Sequence, residues 1–171
     1  WGTALALNHL LKLNLTYDRV GQISHQAEVE NRTGLGTVLG QQRGGIELRT
    51  EPGAPGIGHV AQVPFNPDLR VVFSSTGPIS TKSMLSNPRI RARINESVGQ
   101  LTNQFANNAS PREFMRLSRR FSEQTRLPSK NLQAGLKLLD EHGFTSSSMA
   151  MFGETIFSLV WVDEIEDIMR V

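Results

Sequence analysis

TGLGTVLGQQRGGIELRTEPGAPGIG, residues 33–58, holds eight of the fifteen glycines in the chain. Glycine costs backbone entropy and is kept where φ must be positive or where another group approaches the main chain closely, so this density marks a candidate site. Arg43, Glu47 and Arg49 are interleaved with the glycines, and the Pro52, Gly53, Pro55 and Gly56 cluster is a turn that fixes the exit of the run. Amides freed by glycine-rich turns can hold anions, and a guanidinium fork grips a carboxylate or phosphate through two parallel bonds. On the glycines alone, a hairpin with two tight turns accounts for the run equally well.

The rest of the chain bounds what that site could serve. A length of 171 residues suits one domain, or two small ones, with a sizeable core. Hydrophobic residues make up 38%, and no apolar run approaches the roughly 18 residues needed to cross a bilayer, so no membrane span is expected. Cysteine is absent, which excludes disulfides and thiolate metal sites. The opening WGTALALNHLLKLN lacks a basic segment and a cleavage site, so no signal peptide is expected and a cytoplasmic setting is. Net charge is +2, and the arginines group as Arg89, Arg91 and Arg93, then Arg116, Arg119 and Arg120. With 6% aromatics to stack on bases and no recognition motif, these groups read as solvated helix faces rather than a nucleic-acid surface.

Periodicity supplies a coarse layout. Residues 2–13, with Leu5, Leu7, Leu10, Leu11 and Leu13, read as a mostly buried helix without an N-cap. A second helix starts from Thr16 or Asp18 and runs to about Asn31, and on it His25 and Glu28 share a face, as a surface pair or as functional groups. Residues 44–50 alternate as a strand that sends Ile46 and Leu48 to the core and Glu47 and Arg49 together to the other side. Residues 59–65 and 69–75 are expected as strands joined by a hairpin around 66–68. The small polar stretch SSTGPIST, residues 74–81, is the expected internal boundary. Beyond it Asn87 caps and Pro88 opens a helix with apolar positions at Ile90, Ile94, Val98, Leu101 and Phe105. Ser110 and Pro111 open another, and a third runs over 129–141 to a stop at His142-Gly143. Strands over 145–151 and 155–162 and a short acidic helix from Asp163 close the chain.

Read together, His25, Ala27, Glu28, Val29, Gly34, Leu35, Gly36, Gln41, Gly44, Gly45, Arg49, Pro52, Gly53, Pro55 and Gly56 form the pattern H-x-A-E-V-x4-GLG-x4-Q-x2-GG-x3-R-x2-PG-x-PG. This pattern resembles the archaeal pantoate kinases of the GHMP kinase superfamily. The later stretches GPIST, FMRLSRRF and SMAMFG extend the likeness to about Val160. The resemblance implies an α+β, GHMP kinase-like two-part fold, with residues 1–75 completing an amino-terminal domain, residues 76–171 forming a ferredoxin-like second domain, and the active site between them. It implies that the phosphate loop of the superfamily is absent from this chain and stands upstream of Trp1, so that the isolated chain binds ATP poorly and is inactive. The implied reaction is transfer of a phosphoryl group from ATP, with Mg²⁺, to pantoate or a similar small hydroxy acid, a step toward coenzyme A.

By the same resemblance Glu28 is the metal ligand, Arg49 meets the substrate carboxylate, and His25 and Thr81 join it in substrate binding. Mg²⁺ favours one or two carboxylates together with phosphates and waters, so a single helical glutamate suffices. Thr37 stands where pantoate kinases often carry an aspartate thought to take the proton from the substrate hydroxyl. A threonine hydroxyl has no useful basicity at neutral pH, so it cannot do that. Homoserine kinases of the same superfamily are thought to manage without such a base. Three readings stay open: a pantoate kinase, a kinase of the same fold for another small hydroxy acid or alcohol, and a binding homologue with impaired catalysis. No nucleic-acid or membrane partner is expected, and a homodimer is among the states left open.

Overall fold

A computed structural model of the chain describes residues 1–34, 36–77, 84, 86–151 and 153–171. Helices combine with small antiparallel sheets in an α+β arrangement. The contacts divide the chain into two compact units, Trp1–Val63 and Pro64–Val171.

The first unit comprises α1 (Gly2–Leu10), α2 (Tyr17–Asn31), α3 (Thr37–Arg43), β1 (Ile46–Glu51) and β2 (His59–Val63). Asn8 closes the turn from α1 to α2: its amide donates to Leu15 O and its carbonyl oxygen accepts from Leu15 N, both at 3.1 Å. Trp1 and Tyr17 meet edge to face at 4.8 Å across the same turn. Thr16 caps α2, its hydroxyl oxygen accepting from Arg19 N at 3.2 Å, which satisfies one of the amides that open every helix. Gly21 leaves room on α2 for Pro55 of the proline-glycine turn, and Gln22 Nε2 donates to Pro55 O at 3.1 Å, so the exit of the glycine run is docked on this helix. β1 and β2 pair antiparallel from Ile46 opposite Val63 to Arg49 opposite Val60. Val20, Val38, Leu39, Pro55 and Val63 are buried in this unit.

The second unit comprises β3 (Leu69–Gly77), α4 (Pro88–Asn107), α5 (Pro111–Thr125), α6 (Lys130–Glu141), β4 (Ser147–Met149), β5 (Glu154–Trp161), a 3₁₀ turn (Val162–Glu164) and α7 (Ile165–Ile168). Its sheet is antiparallel in the order β3-β5-β4 among the described residues. Asn87, Ser110 and Ser129 cap α4, α5 and α6 with their side-chain oxygens, and Pro stands in the first turn of α4 and α5, where its missing N–H is not needed. The apolar stripes bury Leu101 and Phe105 of α4, Met115 and Leu117 of α5, and Leu132 and Leu136 of α6, together with Met149, Val160 and Ile168. Arg119 ties three elements together, donating to Asp140 on α6 at 2.7 Å and to Ser147 O on β4 at 3.2 Å while pairing with Glu123 on its own helix. On the same helix Arg116 hydrogen-bonds Glu113 and holds its carboxyl below the usual carboxylate range.

The strands, the three capped helices of the second unit and the closing short helix stand where the sequence pattern puts them, but several expectations give way. No hairpin joins the strands on either side of 66–68. β2 pairs with β1, and β3 pairs with β5 from Leu69 opposite Trp161 to Ser75 opposite Thr155. Local turn residues suggest the short connection; the pairing is instead set by a strand about eighty to ninety residues away. Helix α1 exists but is not buried: Leu7, Leu10, Leu11 and Leu13 are exposed, because α1 packs on α2 along one edge and no other described element covers its far face. The turn reading of the glycine run omitted α3, a helix of seven residues with a glycine in its middle.

Candidate functional site

The three glycines at the start of the run are each a place where a charged side chain meets the main chain. A β-carbon at Gly34 would lie 3.0 Å from Glu28 Oε2 and 3.3 Å from Thr37 Oγ1, and one at Gly40 would lie 2.7 Å from Glu47 Oε1. At Gly36 a β-carbon would overlap the guanidinium of Arg49, and the backbone there has φ +155°. Gly36 is the N-cap of α3, and its carbonyl oxygen accepts a hydrogen bond from Arg49 Nη2. Val38 and Leu39 bury the other side of α3. The helix is thereby laid over the strand face that carries Glu47 and Arg49, with Gly36 and Gly40 one turn apart above those two side chains.

Glu28 reaches the same turn from α2. Its Oε1 accepts from Thr37 Oγ1 at 2.6 Å, a length in the charge-assisted range for a hydroxyl on a carboxylate. Its Oε2 is buried without a hydrogen-bond partner among the described residues. His25, one helical turn earlier, is half-buried, and its Nδ1 is likewise buried without a partner. Leaving a buried polar atom unsatisfied costs about 1 to 3 kcal/mol, and more for a charged group, so such atoms mark where a further group is accommodated.

The structure therefore gathers Glu28, Thr37 and Arg49 around one turn, with His25 on the same helix as Glu28. Thr81 lies outside the described residues, as does Phe152 of the SMAMFG stretch. Glu47 was passed over as a site residue although it shares a strand face with Arg49; its Oε2 is buried and has no partner among the described residues. The signal that could have found it is the spacing Gly36-x3-Gly40, which on a helix makes a smooth row beneath which two strand side chains fit. Among the described residues no group of three or more His, Asp and Glu side chains could hold a metal by itself. A single carboxylate oxygen left unsatisfied beside a turn is nonetheless compatible with Mg²⁺, which draws most of its ligands from phosphates and water. A separate cavity of about 670 Å³ in the second unit is lined by Phe65, Leu69, Phe144 and Trp161 among others, and none of the candidate residues lines it.

A pantoate kinase of Thermococcus kodakarensis is 37% identical over 165 residues, which cover 96% of this chain and 54% of that protein. Pantoate kinases of Methanocaldococcus jannaschii and Methanospirillum hungatei are 30% and 33% identical over 98% and 92% of the chain. The chain belongs to the pantoate kinase family. It spans about half the length of the curated relatives it matches. A solved structure described as a phosphotransferase related to the CoA biosynthesis pathway superposes with a TM-score of 0.87 at 34% identity, covering 99% of this chain and 54% of that one. No protein-family model matches the sequence. No helix among the described residues is long and apolar enough to cross a membrane.

Proposed function

We propose that the protein to which this chain belongs is a pantoate kinase, transferring the γ-phosphoryl group of ATP to the terminal hydroxyl of pantoate and releasing ADP and 4-phosphopantoate. The observation that carries the reading is the Glu28 carboxylate, held at one oxygen by Thr37 and unsatisfied at the other, with the Arg49 guanidinium at the adjoining Gly36, in a chain that matches pantoate kinases along nearly its whole length. We read the two units as parts of a GHMP-type fold, the second as its ferredoxin-like portion.

Phosphoryl transfer asks a protein mainly for positioning and charge neutralisation. ATP with Mg²⁺ supplies the phosphoryl group and the cation that offsets its developing charge. In this chain Glu28 would hold the metal through Oε2. Arg49 would receive the pantoate carboxylate; a guanidinium carries five donors, so the contact with Gly36 O does not itself exclude that role. His25 would stand on the substrate side of Glu28, and Thr81 would complete substrate binding. Thr37 has no basicity to offer and donates to Glu28, so a proton leaving the substrate hydroxyl would pass to solvent or to phosphate oxygens rather than to residue 37. The lack of basicity at position 37 is what favours the reading of a catalytically impaired homologue.

The test is ADP release by the protein together with whatever its gene supplies beyond these residues, offered pantoate, homoserine, mevalonate and shikimate. Pantoate should be preferred by roughly 10-fold or more in kcat/KM; all four acceptors carry a carboxylate that Arg49 could receive, so the preference would come from the fit of the remaining carbon skeleton and hydroxyls. Preference for another acceptor would change the substrate. ATP binding without turnover on any of them would favour the impaired homologue.

A further inference from the structure

We propose that Thr37 is a positioning residue for the metal ligand: its hydroxyl fixes Glu28 so that Oε2 is presented to the cation. The inference rests on the assignment of Glu28 to magnesium and gives position 37 a role other than that of a proton acceptor. Three observations carry it. The Thr37 hydroxyl donates to Glu28 Oε1 at 2.6 Å, so that oxygen is committed to a neutral donor. Gly34 lies against the pair, a β-carbon there coming 3.0 Å from Glu28 Oε2 and 3.3 Å from Thr37 Oγ1, so the missing side chain is what leaves room for the two groups to meet. Oε2 is then left buried without a partner among the described residues, the state of a carboxylate that still has an electrostatic need to fill.

The donor itself is held from below. Thr37 is the first residue of α3, whose Val38 and Leu39 are buried, and the preceding carbonyl, that of Gly36, accepts from Arg49. The hydroxyl is thus carried on an anchored segment rather than a wandering loop. Threonine can donate a proton into the bond, which an ionised aspartate at the same place cannot; the side chain at 37 therefore determines whether Glu28 Oε1 is bonded or repelled. Groups that orient a metal-binding carboxylate in this way typically change metal affinity by ~10- to 100-fold when removed, and Thr37 is solvent-exposed, which puts the expectation at the lower end.

Mn²⁺, followed through its free-ion paramagnetic resonance signal in the presence of ADP, is the probe that separates positioning from bulk structure. It would be titrated into the protein with its full gene-encoded sequence, carrying Thr37→Ser, Thr37→Val, Thr37→Ala or Glu28→Gln, with melting temperature recorded for each. Thr37→Ser should stay within about twofold of the parent. Thr37→Val and Thr37→Ala should each weaken Mn²⁺ by ~10-fold with melting temperature little changed, and raise the Mg²⁺ concentration needed for half-maximal ADP release to match. Should the valine variant fail to fold, the alanine variant carries the comparison. Parent-like Mn²⁺ affinity in the valine or alanine variant, with Glu28→Gln weakened, would overturn the role of Thr37 and leave Glu28 as ligand. A serine variant as weak as valine would overturn the role of the hydroxyl. Unchanged affinity in Glu28→Gln would remove the metal assignment itself.

Discussion

The two units differ in what their glycines meet. In Pro64–Val171, polar residues at helix starts do local duty: Asn87, Ser110 and Ser129 each satisfy the opening amides of their own helix, and the exposed Gly99 in α4 has nothing within 4 Å of where a side chain would project. In Trp1–Val63 the glycines at 34, 36 and 40 each receive a charged side chain from elsewhere in the unit, Glu28 from α2 and Arg49 and Glu47 from β1. The first pattern makes a scaffold whose parts can be read one at a time. The second makes a place where charged groups from distant positions are pressed against main chain, which is what binding a charged ligand requires.

That contrast can be broken by substitution. Gly36→Ala should cause the largest loss, because residue 36 has φ +155°, which L side chains rarely adopt, and because the new methyl group would displace the Arg49 guanidinium; backbone strain of this kind costs on the order of 1 to 3 kcal/mol, and denaturant melts should show it together with a fall in ADP release. Ser110→Ala in the second unit should cost about 1 kcal/mol of stability by removing the bond to Glu113 N, with KM for substrate unchanged. Gly99→Ala should go the other way, stabilising by roughly 0.5 to 1 kcal/mol, since alanine favours a helix interior and meets no neighbour there. If Gly36→Ala proved as harmless as Gly99→Ala, the distinction between the two units would fail.

Legibility followed the same division. The capped helices of the second unit were visible because cap, period and stop lie within a few residues of one another; Leu101 and Phe105 are buried as their spacing requires, whereas Val98 of the same stripe is exposed. Partnership between strands was not visible: β3 chooses β5 across most of the unit, and nothing local to Asn66 or Asp68 encodes that choice. The candidate residues were legible in the sequence, but their contacts were not. Glycine density pointed to close approach and strand alternation placed Glu47 with Arg49, yet neither could show that α3 covers that face or that Thr37 donates to Glu28. Those facts depend on the meeting of α2, α3 and β1, a tertiary event that leaves no periodic trace. The leucines of α1 erred in the other direction, since apolar spacing gives the helix but not whether a neighbour covers it.

Arg49 tests most directly whether the glycine-built region is a substrate site rather than a tightly packed corner. Arg49→Lys keeps the charge and loses the planar fork that matches a carboxylate. In ADP-release assays and thermal melts on the same preparation, kcat/KM for pantoate should fall ~10- to 150-fold through KM, the equivalent of about 1.5 to 3 kcal/mol for a charge-assisted hydrogen bond, while the melting temperature moves by no more than a few degrees. A fall in melting temperature with KM for pantoate unchanged would contradict the account, leaving Arg49 as a staple for the turn at Gly36 and nothing more.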